Sequence, residues 1–145
     1  MLTMTAPAMI RPVTLEDVPT IIGMFQAMRQ ETIWGQFNFP DEVQQYSVRL
    51  IYRLWTDEDF CLYVAEREEV VIGFCGGQVS RLYGLPYAKF VMEWGWYVLP
   101  EYRGGLVGGR LWNVVVEWGR SRGAIVAQRI KHLNESQELH TFVRL

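Results

Sequence analysis

The residues from Trp96 to Leu111 restrict the fold of this chain more than any other segment. An apolar and aromatic stretch ends at Pro100, whose missing amide stops a strand ladder. Four glycines in the six positions 104–109 then let the backbone approach a ligand closely. A helix is predicted to follow directly, from Val107 to Arg120. The segment therefore predicts a strand, a glycine-rich turn and a helix whose unpaired N-terminal amides face the turn.

A glycine-rich turn at a helix start can bind anionic phosphate oxygens through backbone amides. Arg103 and Arg110 bracket the turn and are candidates for charge-assisted contacts to the same oxygens. The sequence of the turn excludes two common nucleotide-binding motifs. It lacks the GK[ST] ending of a Walker loop, and residues 104–109 do not fit the GxGxxG pattern. The alternative that stays open is a flexible turn before an ordinary helix.

The rest of the chain alternates between strand and helix patterns. Strands are predicted at 9–13, 60–66, 70–79, 90–98 and 124–130, and helices at 14–31, 41–55, 107–120 and 134–145. The charged turn Arg67-Glu68-Glu69 joins the second and third strands as a hairpin. The order β-α-α-β-β-β-α-β-α predicts one mixed α/β domain over residues 1–145. The two strands that flank the glycine-rich turn and its helix are expected to be parallel neighbours.

Composition and charge argue against several classes of protein. The formal net charge is −2 and the pI is about 5.7, whereas a nucleic-acid-binding protein should be basic. No window approaches the roughly 20 apolar residues that span a bilayer, and the N-terminus lacks the basic region of a signal peptide. Cys61 and Cys75 lie in apolar runs, which favours buried free thiols in a reducing compartment. We therefore expect a cytoplasmic protein that binds neither membrane nor nucleic acid and has no metal site.

The glycine-rich segment resembles motif A of the GNAT superfamily of N-acetyltransferases. Val98-x-Pro100-x-x-Arg103-Gly104, followed by Gly108 and Leu111, is similar to that family's V-x-P-x-x-R strand end and R/Q-x-x-G-x-G/A loop. Three further segments resemble its first strand and helix start, its β2–β3 hairpin and the end of its third helix: residues 10–18, 64–74 and 117–124. The resemblance covers nearly the whole chain and implies the acyl-CoA N-acyltransferase fold, a central mixed sheet flanked by helices.

The resemblance implies a function and a set of coenzyme-binding residues. The function is transfer of an acetyl group from acetyl-CoA directly to a primary amine of a small molecule or peptide, without a covalent enzyme intermediate. The Trp96 amide would face the thioester carbonyl, the Val98 backbone would pair with the pantetheine arm, and Asn134 would touch the pantetheine side. The pyrophosphate would be held by the loop residues Arg103, Gly104, Gly105, Leu106, Val107, Gly108, Gly109 and Arg110.

Three features depart from the family pattern. Leu106 stands where the loop pattern has glycine, and the final helix has no tyrosine to act as general acid, since Thr141 or Phe142 occupies that place. The chain also ends where the family continues with two more strands, so we expect it to be truncated or completed by a neighbouring chain. An uncovered strand at 124–130 would be an exposed edge, and we therefore expect a homodimer built around the C-terminal strand and helix.

Glu93 is the best candidate for the catalytic base. It is the carboxylate within the apolar and aromatic strand 90–98, where burial should raise its pKa toward that of a general base at neutral pH. The alternative is a strand residue that faces solvent or pairs with an arginine such as Arg81. His132 and His140 are more simply explained by surface positions or packing than by catalysis.

Large aromatic side chains suggest where the acceptor binds. Trp34, Phe37 and Phe39 lie in a loop that borders the acceptor pocket in this family, so we interpret them as a substrate lid and place Trp94 beside them. The alternative is a loop that docks on the domain core or on a dimer partner. Three other tryptophans, at helical apolar positions, are predicted to be core: Trp55, Trp112 and Trp118. The competing function is a non-catalytic module that binds acetyl-CoA or a partner and keeps the fold.

Overall fold

The computed structural model describes residues 6–37, 42–134 and 136–145, and only the backbone of residues 42–44. These ranges form a mixed α/β fold, as predicted. The strands are β1 Met9–Pro12, β2 Phe60–Arg67, β3 Val70–Arg81, β4 Lys89–Val98, β5 Ala124–Asn134 and β6 Gln137–Arg144. The helices are α1 Val18–Gln30, α2 Glu42–Thr56 and α3 Val107–Ser121.

The strands form one sheet in the order β1-β2-β3-β4-β5-β6. Neighbouring strands are antiparallel except β4 and β5, which are parallel and are joined through α3. The sequence predicted this pair because a strand–helix–strand crossover returns in the same direction. The predicted β2–β3 hairpin is also confirmed. Its turn residues Glu68 and Glu69 have φ of 50° and 66°, the positive values that a two-residue hairpin turn needs.

The sheet is covered by hydrophobic clusters on both faces. In one cluster α3 buries Leu111 and Val115, and in the other α1 and α2 bury Ile21 and Leu50. Adjacent strand residues such as Phe74 and Cys75 belong to different clusters, as they must if the clusters lie on opposite faces. The helix α3 lies very close to β4, because a Cβ added at Gly119 would lie 2.6 Å from the Val91 Cβ.

The C-terminal segment is a strand, so the predicted helix at 134–145 is wrong. β6 pairs antiparallel with β5 from Val126↔Arg144 to Asn134↔Gln137. The Asn134 side chain belongs to the connecting turn, where its Nδ2 donates to Gln137 Oε1 at 2.8 Å and its Oδ1 accepts from the Ser136 amide at 2.9 Å. The weak local helix pattern is outweighed by the backbone pairing that the free edge of β5 offers.

This strand changes two other predictions about the C-terminal half. β5 extends to Asn134 and is not the edge of the sheet, because β6 covers it. The two residues considered for the place of the general-acid tyrosine, Thr141 and Phe142, lie on β6 and not on a helix. The exposed edge and its half-exposed apolar side chains, Leu139 and Phe142, therefore belong to β6.

Three tryptophans were predicted to lie in the core, and the prediction is confirmed for two of them. Trp112 is buried and Trp118 packs partly buried against the same cluster, but Trp55 is 63% exposed. Trp55 lies on the outer side of α2, at helical spacing from the exposed Val48 and Tyr52, whereas Leu50 points inward. A broad apolar stripe does not reveal which part of it the sheet will cover.

Both cysteines are free and buried, as their apolar surroundings predicted. Burial raises the pKa of the Cys61 thiol to about 12 and that of Cys75 well above its usual range, so both thiols are unreactive packing groups. Within the described residues, no helix has the length and apolar character needed to cross a bilayer.

Candidate active site

The strands β4 and β5 separate halfway along their length. Their pairing runs from Lys89↔Ala124 to Met92↔Gln128 and no further. At the next residue of β4, the Glu93 side chain accepts a hydrogen bond from the Ile130 amide at 2.9 Å through its Oε2. If the β4–β5 pairing continued, the Ile130 amide would donate to a backbone carbonyl of β4. It donates to the Glu93 carboxylate instead. Beyond Glu93, a gap opens between the two strands.

The backbone of β4 faces this gap at Trp96 and Val98. On the other side of β4, the Leu99 amide donates to the Ile72 carbonyl at 2.9 Å, and Val98 lies opposite Gly73. Polar groups of successive residues alternate in direction along an antiparallel pair, so those of Trp96 and Val98 point away from β3. The Val98 carbonyl accepts from Arg103 Nε at 2.7 Å. The backbone polar groups of the two residues predicted to meet the thioester and the pantetheine therefore point to the side of β4 where the gap lies.

The glycine-rich loop forms a cavity of about 240 Å³ beside the gap. Gly104 has φ of +88°, which glycine adopts without strain. The cavity is lined by Trp96, Val98, Tyr102, Arg103, Gly104, Gly105 and Gly108.

The start of α3 leaves amides available next to this cavity. Its first intrahelical bond is from the Arg110 amide to the Leu106 carbonyl, and no side chain caps the helix. The amides of the first turn, at Val107, Gly108 and Gly109, therefore have no acceptor within the helix. Leu106 has φ of −90° and is 80% exposed, so the position does not need the glycine of the family pattern.

The two arginines that bracket the loop have different partners. Arg103 lies on the loop cavity and forms a fork with Glu31, with distances of 3.0 and 2.8 Å to the two carboxylate oxygens. Its guanidinium holds the pKa of Glu31 below the usual range. Arg110 Nη1 instead donates to the Ala8 carbonyl at 2.6 Å, which ties α3 to the beginning of β1. Arg103 is thus the arginine of the pair that lines this cavity.

A second cavity of about 350 Å³ contains Glu93 and lies between α1 and the gap in the sheet. Its volume is in the range of small-molecule sites. Its lining combines aromatic and ionisable side chains: Phe25, Gln26, Met28, Arg29, Thr32, Trp34, Tyr46, Glu93, Trp94, Gly95, Ile130, His132 and Glu138. We refer to it as the acceptor cavity.

Burial raises the pKa of Glu93 from its ordinary 4.5 to about 7. The hydrogen bond from the Ile130 amide and the nearby charge of Arg129 act in the opposite direction, but they do not cancel the cost of burial. The raised value was expected from the apolar strand around Glu93. A carboxyl group that titrates near neutral pH can accept and release a proton during turnover.

Three of the four predicted substrate residues are described, and two of them line the acceptor cavity. Trp34 and Trp94 do so, and Trp94 makes edge-to-face contacts with Phe25 and Phe60, with centroids at 5.0 and 4.8 Å. Phe37 is half-exposed and lies 5.9 Å from the Trp34 ring. Phe39 lies outside the described residues.

The structure adds two residues to the site: Glu138, which sequence reasoning did not identify, and His132, which it assigned to a surface position or packing. Glu138 Oε1 lies 3.3 Å from His132 Nδ1, and Glu138 Oε2 lies 3.2 Å from His140 Nε2. Nothing in the local sequence signals this cluster, because it forms only when β6 pairs with β5. Asn134 lies near it, in a neighbouring cavity that also contains Glu31 and His132. Among the residues that the structure covers, no three His, Cys, Asp or Glu side chains are placed to hold a metal ion.

Comparison with known proteins agrees with the fold. The family model described as "Acetyltransferase (GNAT) family" matches residues 25–142. Among curated proteins, none is similar enough in sequence to count as a relative.

Solved structures show the same fold at low sequence identity. The ribosomal-protein-alanine N-acetyltransferase of Brucella melitensis has a TM-score of 0.65 and 24% identity, over 83% of this chain and 72% of that one. The PaiA N-acetyltransferase of Thermoplasma acidophilum, in complex with coenzyme A, has a TM-score of 0.64 and 17% identity, over 90% and 83%. An aminoglycoside acetyltransferase from an uncultured soil sample, in complex with sisomicin, has a TM-score of 0.58 and 16% identity, over 81% and 72%.

Proposed function

The chain belongs to the GNAT acetyltransferase family, and on this premise we propose that it transfers an acetyl group from acetyl-CoA directly to a primary amine. The observation that carries the proposal is the position of Glu93. Its partly buried carboxyl lies where β4 and β5 separate, on the wall of the acceptor cavity, with a pKa of about 7. A base in this position is suited to remove the proton of an attacking ammonium group.

The residues along the gap and the loop fit acetyl-CoA. The uncapped first turn of α3 and the loop cavity at Gly104 and Gly108 would hold the pyrophosphate. The backbone of Val98 would pair with the pantetheine arm, and the Trp96 amide would polarise the thioester carbonyl. When bound, acetyl-CoA supplies an activated acyl group, so the protein needs no nucleophile of its own.

The acceptor cavity favours a cationic amine. Two carboxyl groups line it, Glu93 and Glu138, against one arginine, Arg29. Aromatic side chains of a kind that attracts cations also line it, including Trp34 and Trp94. Either a small molecule or a peptide N-terminus can present such a group. Two structures with a similar fold illustrate this range. One is a ribosomal-protein-alanine N-acetyltransferase, and the other is an aminoglycoside acetyltransferase in complex with sisomicin.

A panel of amines tests the activity. Each amine is incubated with acetyl-CoA and protein, and both the free thiol released and the mass of the acetylated product are measured. The protein is expected to release thiol with at least one amine and to give the matching acetylated product. Coenzyme binding without product from any amine class would contradict the proposal.

The second candidate is a protein that binds acetyl-CoA without turnover. It is favoured by one observation: no tyrosine follows Tyr102 in the chain, and residues 137–144 form a strand where the resemblance implied a helix with a general acid. This protein would show a thermal shift with acetyl-CoA and no thiol release. At a hundredfold excess over Kd, binding stabilises the folded state by about 2.7 kcal/mol, which a melting experiment detects. A purely structural subunit would show no shift.

We also propose a homodimer and a cytoplasmic location. The dimer is supported by β6, an edge strand with unpaired backbone on its outer side and with the apolar side chains of Leu139 and Phe142 half-exposed. The edge that needs cover is thus one strand further along than the sequence predicted. The location is supported by the free thiols of Cys61 and Cys75. Sedimentation at micromolar concentration tests the dimer.

A further inference from the structure

The side chain of His132 lies at the junction of two cavities. It lines the acceptor cavity with Glu93, and it also lines the groove along Trp96 and Val98, where the coenzyme arm is proposed to bind. Within the described residues, only Met28 and Thr32 share this double position. Of the three, only histidine exchanges protons near neutral pH. A proton carried by His132 can therefore reach both partners of the reaction.

Glu138 lies beside the His132 ring. Its Oε1 is 3.3 Å from His132 Nδ1, which is an ion-pair distance. Glu138 is itself fixed from behind, because its second oxygen lies 3.2 Å from His140 Nε2. The other nitrogen of His140, Nδ1, lies 2.8 Å from Gln128 Nε2. The pair His132–Glu138 is thus the end of a polar network anchored in β5 and β6.

Charged side chains surround His132 from several elements. Glu138 faces it from β6, and Glu93 shares the acceptor cavity from β4. Arg29 and Glu31 face the same space from α1 and its end, and Arg103 faces it from the loop after β4. Glu31 and Arg103 neutralise each other through their fork.

The proposed reaction needs two proton transfers, and Glu93 accounts for one. A C–N bond forms while the C–S bond breaks, and the electron pair of the broken bond stays on sulfur as a thiolate. The ammonium loses two protons overall, of which one is released to solvent and one must end on the sulfur. We propose that His132, oriented by Glu138, gives the proton to the departing sulfur. The second proton of the amine then returns the imidazole to its charged form through solvent. This inference rests on the proposed function.

The ionisation of bound CoA tests the inference without turnover. Ultraviolet absorbance of the thiolate is followed against pH for CoA bound to the wild type and to His132→Gln. An imidazole N–H beside the sulfur stabilises the thiolate, so the bound thiol should ionise about tenfold more readily in the wild type, which is one pH unit. His140→Gln is the matched control, because glutamine keeps an N–H donor for Glu138 and His140 lines neither cavity. It should resemble the wild type.

Steady-state kinetics with an accepted amine provides a second measurement. His132→Gln should lower kcat roughly 10²-fold and change KM for acetyl-CoA by less than about twofold, since an acid acts on the chemistry and not on binding. It should also lose the fall in rate at alkaline pH, while the acidic limb that belongs to Glu93 remains. Glu138→Gln should lower kcat about tenfold, because the ring keeps its place but loses its orienting charge. His132→Asn serves as a second variant if the glutamine variant folds poorly.

The outcomes separate the two proposals. Equal thiolate ionisation in the wild type and His132→Gln, or an unchanged kcat and alkaline limb, would overturn the role of His132 and leave the acetyltransferase proposal standing. A drop in kcat of the same size in His140→Gln would show that the network acts structurally, and would also overturn it. If CoA does not bind at all, the proposed function is wrong and this inference falls with it.

Discussion

Replacing Glu93 by glutamine should lower activity and raise stability, and the two effects together distinguish a functional carboxyl from a structural one. Glutamine keeps an acceptor oxygen for the Ile130 amide, which Glu93 now engages at 2.9 Å. It removes both the base and the buried charge. Turnover should fall roughly 10²-fold, while the affinity for the coenzyme stays nearly unchanged because Glu93 does not line the loop cavity.

The size of the stability change follows from the pKa of Glu93. The folded state holds the proton up to a pH of about 7, whereas the unfolded chain loses it near 4.5. Between these values the folded state binds more protons, so the free energy of unfolding decreases as the pH rises. At roughly 1.4 kcal/mol for each pH unit, the ionised carboxylate costs the folded wild type about 3 kcal/mol above pH 7. Glutamine avoids this cost.

Urea denaturation at about pH 5 and about pH 8, followed by circular dichroism, measures the difference. Glu93→Gln should gain up to about 3 kcal/mol over the wild type at the higher pH, and much less at the lower one. Titrating groups that do not interact with Glu93 contribute equally to both proteins and cancel in the comparison. In kinetic assays the wild-type rate should fall as the pH drops below about 7, and the variant should lack this limb. A stability difference that is the same at both pH values, or turnover within about twofold of the wild type, would refute the reasoning.

Three further predictions concern the loop, the core and the edge strand. Gly108→Val should abolish coenzyme binding in calorimetry, because Gly108 lines the loop cavity. The fold itself should tolerate the change, since a Cβ at this position would lie 3.7 Å from its nearest neighbours. Gly109→Ala is the control and should bind normally, because Gly109 has open space around it and does not line the cavity. Retained affinity in Gly108→Val would move the phosphate site elsewhere. Gly119→Ala should destabilise the protein by about 1–3 kcal/mol in urea denaturation, because its Cβ would lie 2.6 Å from the Val91 Cβ, and an unchanged midpoint would show that α3 can shift. Phe142→Glu should convert the dimer to a monomer in sedimentation, and a wild type that is already monomeric would rule out the interface.

The glycine-rich segment could be interpreted from its sequence because everything it needs is local. Pro100 ends a strand, the glycines allow a close backbone approach, and the helix begins within a few residues. The same holds for the hairpin turn at Glu68 and Glu69. Such features are determined by neighbours in the chain, and the family resemblance lies in them.

Contacts between distant residues were decided only by the tertiary structure. Residues 134–145 have no strong periodicity of their own, and the free edge of β5 turns most of them into a strand. That pairing brings Glu138 to His132 and so adds a titratable pair to the site. Likewise Arg110, next to the loop in sequence, reaches the Ala8 carbonyl, and Trp55 on an apolar stripe faces solvent. In each case the outcome depends on how other elements pack, so it cannot be inferred from the local sequence.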